Sequence, residues 1–247
     1  MSDGKLVELD GDLRVYASSA IEARFLYEEI FREGCYDDVD LPDRPFVVDV
    51  GANIGMFVLF LKRLRPGAEV LAFEPAPASV ELMRRNLELH GLDGVELHEV
   101  ALGGQAEKDV PFTYYPMIPG NSTRYPEIKE LQKANMAKTL AAKVVERMHR
   151  GQEITVSVGR LSAYLPPGRP VDLLKMDVEG AEVDVLLGID AEHWPLVRQV
   201  VLEVQDLDGR LDAVTDLLRR NGLEPAVRQA PLIGAENRAY LVHATRA

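Results

Sequence analysis

A short apolar strand that runs directly into a glycine-bearing turn is the feature that most constrains this chain. The run Phe46 to Val50 is broken only by Asp49, and Gly51 and Gly55 follow it at the start of a helical pattern. Glycine lets a backbone approach a ligand closely, and the first turn of a helix offers free N–H groups. A strand, turn and helix in this order indicate an α/β domain that binds a ligand at a strand end. A side chain at Gly51 is expected to block that ligand and leave the fold intact.

Strands and helices alternate along most of the chain. Helical patterns separate apolar runs that predict strands at residues 46–50, 69–74, 95–102, 154–158, 171–177 and 197–204. The alternation indicates an α/β fold with a doubly wound, mostly parallel, seven-stranded Rossmann-like sheet. Right-handed crossovers place the carboxyl ends of the strands at one edge, where ligands bind. Two last strands, near residues 224–228 and 239–244, have no helix between them and predict an antiparallel edge hairpin.

The length of 247 residues fits a single domain that spans residues 1–247. Helical spacing of apolar residues over 19–33 predicts an N-terminal helical cap within residues 1–45. The alternation stops at residues 111–152, where a stretch rich in proline and tyrosine precedes a polar helical stretch. Long irregular segments in compact domains are often functional, so we interpret this one as a helical lid insertion over the site.

Charge and cysteine content exclude several classes of protein. Lys and Arg total 28 against 40 for Asp and Glu, a net charge of −12, which disfavours binding to nucleic acid. The lone Cys35 cannot form an internal disulfide, and no apolar run reaches the roughly 20 residues of a membrane span. The start, Met1 to Gly4, lacks the basic and apolar regions of a signal peptide. We expect a cytoplasmic protein without a nucleic-acid or membrane partner, and a homo-oligomer is compatible with these features.

Glu74 ends the second predicted strand, about twenty residues after the glycine turn. A carboxylate at that place can accept hydrogen bonds from both ribose hydroxyls of an adenosine. The spacing of Gly51, Asn53 and Gly55 differs from the G-x-G-x-x-G pattern of dinucleotide-binding proteins. A nicotinamide-dependent oxidoreductase on the same fold and a non-catalytic partner protein remain as alternatives.

Two groups of motifs carry a resemblance to a known family. The segment 48–55 together with Phe73, Glu74 and Pro75 resembles the cofactor half of class I S-adenosylmethionine-dependent methyltransferases. The run 172–182, followed by 202–204, resembles the FkbM family, named for an O-methyltransferase of macrolide biosynthesis.

The resemblance implies that S-adenosylmethionine is the cofactor and that it lies along the carboxyl edge of the sheet. It implies that the cofactor-binding residues are Asp49, Gly51, Asn53 and Gly55 at the methionine portion, Glu74 at the ribose, Ala101 and Leu102 at the adenine, and Asp177 near the sulfonium and the acceptor.

Methyl transfer to a neutral hydroxyl requires a base as the bond forms. Asp177 and Glu203 end adjacent predicted strands at the ligand edge, which makes them the leading candidates for that catalytic role. His149, in the predicted lid, is a further candidate. The carboxylates follow no spacing that requires a metal, so we expect a metal-independent reaction.

The predicted lid supplies the candidate acceptor-binding residues. These are Tyr115, Asn121, Ser122 and Thr123. A mixed apolar and polar lip suits a small molecule, or a polyketide, peptide or glycan intermediate bound to a carrier protein. The family resemblance favours a hydroxyl over a nitrogen acceptor. We expect the lid to select the acceptor and exclude water but barely to touch the cofactor.

Overall fold

A computed structural model of the chain describes residues 4–36 and 39–246. Its strands are β1 Lys5–Glu8, β2 Arg14–Ala17, β3 Phe46–Val50, β4 Glu69–Phe73, β5 Val95–His98, β6 Ala101–Leu102, β7 Glu107–Tyr114, β8 Gln152–Gly159, β9 Leu173–Met176, β10 Gln199–Gln205, β11 Leu223–Gln229 and β12 Ala239–Arg246. Its α-helices are α1 Ala20–Tyr27, α2 Met56–Leu64, α3 Pro77–Leu89, α4 Lys129–Met136, α5 Ala142–Met148, α6 Glu182–Leu187 and α7 Arg210–Arg220. The expectation about a signal peptide rests on residues 1–3, which lie outside the described residues.

The large sheet has seven strands in the order β11-β12-β10-β9-β3-β4-β5. Strand β12 runs antiparallel to both of its neighbours, and the other described pairs are parallel. The predicted doubly wound sheet with an antiparallel edge hairpin is therefore confirmed. The central strands are apolar runs because helices cover both of their faces.

Consecutive residues of these strands belong to two different cores. Val47 packs in the layer that contains α2 and α3, whereas Val48 packs in the layer that contains α6 and α7. This division follows from the alternation of side chains along a strand. Both layers hold the carboxyl ends of β3, β4 and β9 in place.

A second, smaller sheet contains the strands that flank the lid in the chain. Its order is β6-β8-β7, with β8 parallel to β6 and antiparallel to β7. The strand predicted at 95–102 is therefore two strands, and the strand predicted at 154–158 does not return to the large sheet. The insertion leaves from the end of β7 and returns at the start of β8, slightly inside the predicted limits of 111–152.

The N-terminal segment is only partly helical, which corrects the expectation of a helical cap. A hairpin of β1 and β2 precedes the helix predicted at 19–33. That helix is present as α1, and it continues into a π-helical turn at Glu28–Arg32. The ring of Phe31 packs edge-on against Phe60 of α2 at 5.3 Å, so this cap lies beside the glycine turn.

The lid contains two short helices, α4 and α5, where the sequence suggests one polar helical stretch. The amide of Asn135 on α4 donates to the carbonyl of Glu236 at 3.0 Å, in the loop of the edge hairpin. At its other end the backbone N–H of Gly120 donates to Glu22 of α1 at 2.6 Å. The lid therefore spans from the cap to the edge hairpin. None of the described helices is long and apolar enough to cross a membrane.

Candidate active site

A pocket that is partly open to solvent lies at the carboxyl ends of β3, β4 and β9. This edge of an α/β sheet is where small molecules bind. Four strand-end segments contribute to its wall, and so do the cap and the lid. The residues that form this wall on the strand-end side include Gly51, Ala52, Asn53, Glu74, Pro75, Val100, Ala101, Leu102, Lys175 and Asp177.

The fold itself requires a glycine at position 51. Its φ of +78° lies in the left-handed region, and a Cβ atom there would stand 1.8 Å from the carbonyl oxygen of Asp177. Backbone hydrogen bonds hold the turn on both sides. The N–H groups of Gly51 and Ala52 donate to the carbonyl of Phe73 at 2.9 Å, and the N–H of Asp177 donates to the carbonyl of Val50 at 2.9 Å. A side chain at Gly51 would collide with the end of β9, which corrects the expectation that it would only block a ligand.

Glu74 is buried at the end of β4 and lines the pocket. Its Oε2 accepts a hydrogen bond from the N–H of Asn53, and its Oε1 accepts one from the N–H of Ala76, each at 2.9 Å. Burial raises the pKa of this carboxyl to about 7, although both hydrogen bonds and the nearby Lys175 oppose that shift. Since an ionised carboxylate can accept about four hydrogen bonds, each oxygen keeps capacity for one more donor.

Asp49 lies beneath the pocket and outside its wall. Its carboxylate is fully buried and forms an ion pair with Lys175 at 2.9 Å. Burial raises the pKa of Asp49, and the Lys175 ammonium opposes this shift. Lys175 itself lines the pocket and donates to the carbonyl of Gly51 at 2.8 Å. Asp49 therefore acts on the turn through Lys175, a residue that the sequence places on the same strand face as Asp177.

Three of the other predicted cofactor residues line the pocket wall, and Gly55 does not. Asn53 adopts a left-handed backbone with φ of +48° and lines the pocket, as do Ala101 and Leu102. Gly55, with φ of +83°, begins α2 behind the turn and lies outside the wall.

The three candidate bases do not meet in the pocket. Asp177 lines it, and its N–H donates to the carbonyl of Val50 at 2.9 Å. Glu203 is half-buried on the adjacent strand and outside the wall, although burial and the charge of Asp177 raise its pKa well above the usual value. His149 is buried in the lid, with Nδ1 at 3.0 Å from the carbonyl of Val145. Its ring is held within the lid and not in the pocket wall, so this geometry does not support its predicted role as base.

Glu29 is a pocket carboxylate that the sequence does not single out. It lies on the π-helical turn of the cap and lines the pocket. Burial, followed by the charges of Asp177 and Glu179, raises its pKa to about 8. A π-helical turn often marks a functional site, but helical periodicity in a sequence does not reveal it.

Of the four predicted acceptor residues, only Ser122 lines the pocket. The Tyr115 ring is buried against His149, with ring centroids 6.0 Å apart. The Asn121 amide donates to Gln132 on α4 at 2.9 Å. The buried Thr123 hydroxyl donates to the carbonyl of Glu179 at 2.6 Å. These three residues position the lid and lie outside the pocket wall, so the geometry does not support their predicted contact with the acceptor.

Over residues 4–36 and 39–246, no group of three or more His, Cys, Asp or Glu side chains is arranged to hold a metal ion. Metal independence stays a prediction. Cys35 is buried, and burial raises the pKa of its thiol to about 12, which keeps it protonated near neutral pH.

Comparisons of the chain with known proteins find methyltransferases. Residues 49–224 match the family described as the methyltransferase FkbM domain. The chain is 42% identical over 246 residues to "Methyltransferase 1" of Beauveria bassiana, covering 97% of each chain. It is 38% identical over 227 residues to the "31-O-demethyl-FK506 methyltransferase FkbM" of Streptomyces tacrolimicus, covering 87% of this chain and 86% of that one. The crystal structure of a methyltransferase FkbM from Methylobacillus flagellatus has the same fold, with a TM-score of 0.58 at 15% identity over 88% of this chain and 47% of that one.

Proposed function

The chain belongs to the FkbM methyltransferase family, and we propose that it transfers the methyl group of S-adenosylmethionine to a hydroxyl group. The proposed acceptor is a small natural product or an intermediate bound to a carrier protein. The polyketide, peptide and glycan classes all carry hydroxyls of this kind.

The arrangement of Glu74 is the observation that carries the proposal. Its two oxygens are fixed by the N–H groups of Asn53 and Ala76 and border the pocket with acceptor capacity to spare. Two neighbouring hydroxyls on one ribose ring match two such oxygens. Because the carboxylate is already oriented before a ligand arrives, little freedom is lost on binding.

The remaining wall fits the other parts of this cofactor. The turn at Gly51 and Asn53 would hold the methionine portion, and Ala101 with Leu102 would border the adenine. When bound, S-adenosylmethionine supplies a methyl group on a positively charged sulfur. The carboxylate of Asp177 lines the same pocket, and negative charge there favours a cationic ligand.

Asp177 and Glu29 are also the carboxylates placed to receive the proton of the acceptor hydroxyl. Both line the pocket, whereas Glu203 and His149 lie outside its wall. A base with a pKa near the working pH is the most effective in this role, and Glu29 has a pKa of about 8. The chain itself aligns the acceptor hydroxyl with the methyl group, and it accepts the proton that the hydroxyl loses.

The acceptor end of the pocket combines apolar and polar groups. The cap contributes Leu26, Ile30 and Tyr36, and α2 contributes Phe57. Aromatic and aliphatic surface of this kind suits the carbon skeleton of a natural product. The Streptomyces tacrolimicus relative bears a name that specifies transfer to an oxygen, which favours a hydroxyl here as well.

Titration calorimetry with S-adenosylmethionine and with NADH tests the proposal. Binding of S-adenosylmethionine, and release of S-adenosylhomocysteine when hydroxylated natural products are added, would support it. Binding of NADH alone would instead support the oxidoreductase alternative. Cofactor binding without release on any acceptor would favour the non-catalytic alternative.

A further inference from the structure

The lid root, residues 119–125, begins with a 3-10 turn, Pro119–Asn121, and forms part of the pocket wall. The residues of this segment that line the wall are Pro119, Gly120, Ser122 and Arg124. Asn121 and Thr123 lie outside the wall and make hydrogen bonds to α4 and to Glu179 instead. No apolar pattern in the sequence marks the segment.

The lid root is held firmly in this orientation. Thr123 exchanges two backbone hydrogen bonds with Thr113 of β7, at 2.8 and 3.0 Å. The Tyr125 hydroxyl donates to Asp184 on α6. The lid root is therefore anchored to both β7 and α6. It is a fixed part of the pocket wall, although much of the lid beyond it is exposed.

Arg124 lies in this wall with hydrogen-bonding capacity unused. Its side chain is only 16% exposed, and its Nε is buried with no hydrogen-bond partner among the described residues. Its nearest carboxylate, Asp184, is 3.9 Å away and already accepts the Tyr125 hydroxyl. Because the protein encloses Nε while Arg124 lines the pocket, the guanidinium can meet a ligand through its terminal N–H groups, which make no hydrogen bond among the described residues.

The position of Arg124 along the pocket identifies which ligand group that is. Its Nη1 lies 3.2 Å from where a Cβ of Gly103 would stand, directly after β6. Ala101 and Leu102 of β6 line the same pocket. Arg124 therefore lies beside the end of β6, next to the two residues assigned to the adenine.

We propose that Arg124 binds the adenine ring of the cofactor, so that the lid root is part of the cofactor site. Adenine presents ring nitrogens that only accept hydrogen bonds, and a guanidinium both donates and stacks on flat rings. The inference rests on the proposed function, since it assumes an adenosine cofactor. It also changes the expected division of labour, in which the lid barely touches the cofactor.

The test is titration calorimetry of S-adenosylhomocysteine with the wild-type chain and with Arg124→Ala and Arg124→Met. Both variants are expected to bind about ten-fold or more weakly, since each loses a charged donor. Arg147→Ala is the matched control, because Arg147 is an exposed arginine on α5 of the same lid, and it should leave the affinity unchanged. Melting temperatures identify any variant that fails to fold, and Arg124→Met retains the packing of the long side chain.

Competition by adenosine and by homocysteine locates the contact. Loss of adenosine affinity in Arg124→Met, with homocysteine affinity unchanged, supports the adenine assignment. Loss confined to homocysteine, or unchanged affinity for S-adenosylhomocysteine, overturns it while the proposed function stands. Failure of the wild-type chain to bind S-adenosylhomocysteine would instead remove the proposed function.

Discussion

One side of the pocket consists of loops that follow strands of the large sheet, and the other consists of segments that precede or interrupt that sheet. On the strand-end side, Asn53 and Glu74 are 21 residues apart and meet through a single hydrogen bond. On the added side, formed by the cap and the lid root, Glu22 meets Gly120 across 98 residues. The strand-end side is fixed by local turns and by the sheet, whereas the added side depends on contacts between distant segments.

This difference indicates how the two sides should respond to change. The strand-end side is held by buried backbone groups, so damage there should affect folding or cofactor binding. The added side contains exposed helices beyond an anchored root, so its outer part should tolerate replacement. Four changes test the comparison, from the largest expected effect to the smallest.

Replacing Gly51 with alanine should prevent stable folding. The new Cβ would stand 1.8 Å from the carbonyl oxygen of Asp177, in a turn with positive φ. We expect a loss of at least about 3–5 kcal/mol, which is a large part of the stability of a domain. Circular dichroism and thermal melting measure this loss.

Gly91→Ala is the matched control for that change. Gly91 also has positive φ, but nothing lies within 4 Å of its Cβ position. The control should therefore cost only about 1–2 kcal/mol of backbone strain. Equal melting temperatures for the two variants would show that the approach of the turn to β9 is not essential.

Glu74→Ala should weaken the binding of S-adenosylmethionine by about ten- to hundred-fold. The change removes a charged acceptor of two hydroxyls, worth roughly 1.5–3 kcal/mol, and leaves the N–H groups of Asn53 and Ala76 without their partner. Glu74→Gln should be milder because one acceptor oxygen remains. Calorimetry that gives wild-type affinity for Glu74→Ala would rule out the ribose assignment.

Cofactor affinity should fall as the pH is lowered below 7. The pKa of Glu74 is raised to about 7 by burial, so the free carboxyl takes up a proton below that pH. Accepting two hydroxyls requires the ionised form, so binding must release that proton, and the affinity should fall by up to about ten-fold per pH unit. Calorimetry between pH 5.5 and 8 measures the slope.

Glu74→Gln should flatten this dependence, since glutamine does not titrate. Glu22 and Glu29 also have raised pKa values, of about 7 and about 8. A slope that survives in Glu74→Gln would assign the titration to one of these residues on the added side.

Replacing residues 130–148, which include most of α4 and all of α5, with a Gly-Ser linker should change S-adenosylhomocysteine affinity by no more than a few fold. The replacement leaves the lid root and the Lys129–Glu179 ion pair in place. Replacing residues 120–124 instead should weaken binding clearly, because Arg124 lies there. If the two replacements weaken binding equally, the lid is one unit and the anchored root has no separate role.

The sequence predicts the strand-end side well, for a physical reason. Gly51, Asn53 and Glu74 follow apolar strands directly, so the fold alone brings them to one edge. The seven-stranded sheet and its edge hairpin are predictable in the same way, from apolar periodicity. The roles of Asp49 and Lys175 are less predictable. Asp49 lies beneath the pocket and Lys175 lines it, and the ion pair that joins them forms between neighbouring strands.

The added side is less predictable because no regular alternation of strands brings its segments together. His149 and Tyr115 carry the residue types expected of a site, yet they pack against each other inside the lid. Glu29 and Arg124 belong to no motif, and only the π-helical turn and the lid root bring them to the pocket. The β1–β2 hairpin and the small sheet were missed because their strands are short or lie outside the main alternation.

A crystal structure of the chain with S-adenosylhomocysteine tests the central claim most directly. The account predicts that both ribose hydroxyls donate to the carboxylate of Glu74, with the adenine beside Ala101 and Leu102 and the sulfur toward Asp177. A ribose bound elsewhere, with Glu74 still holding only the N–H groups of Asn53 and Ala76, would contradict it.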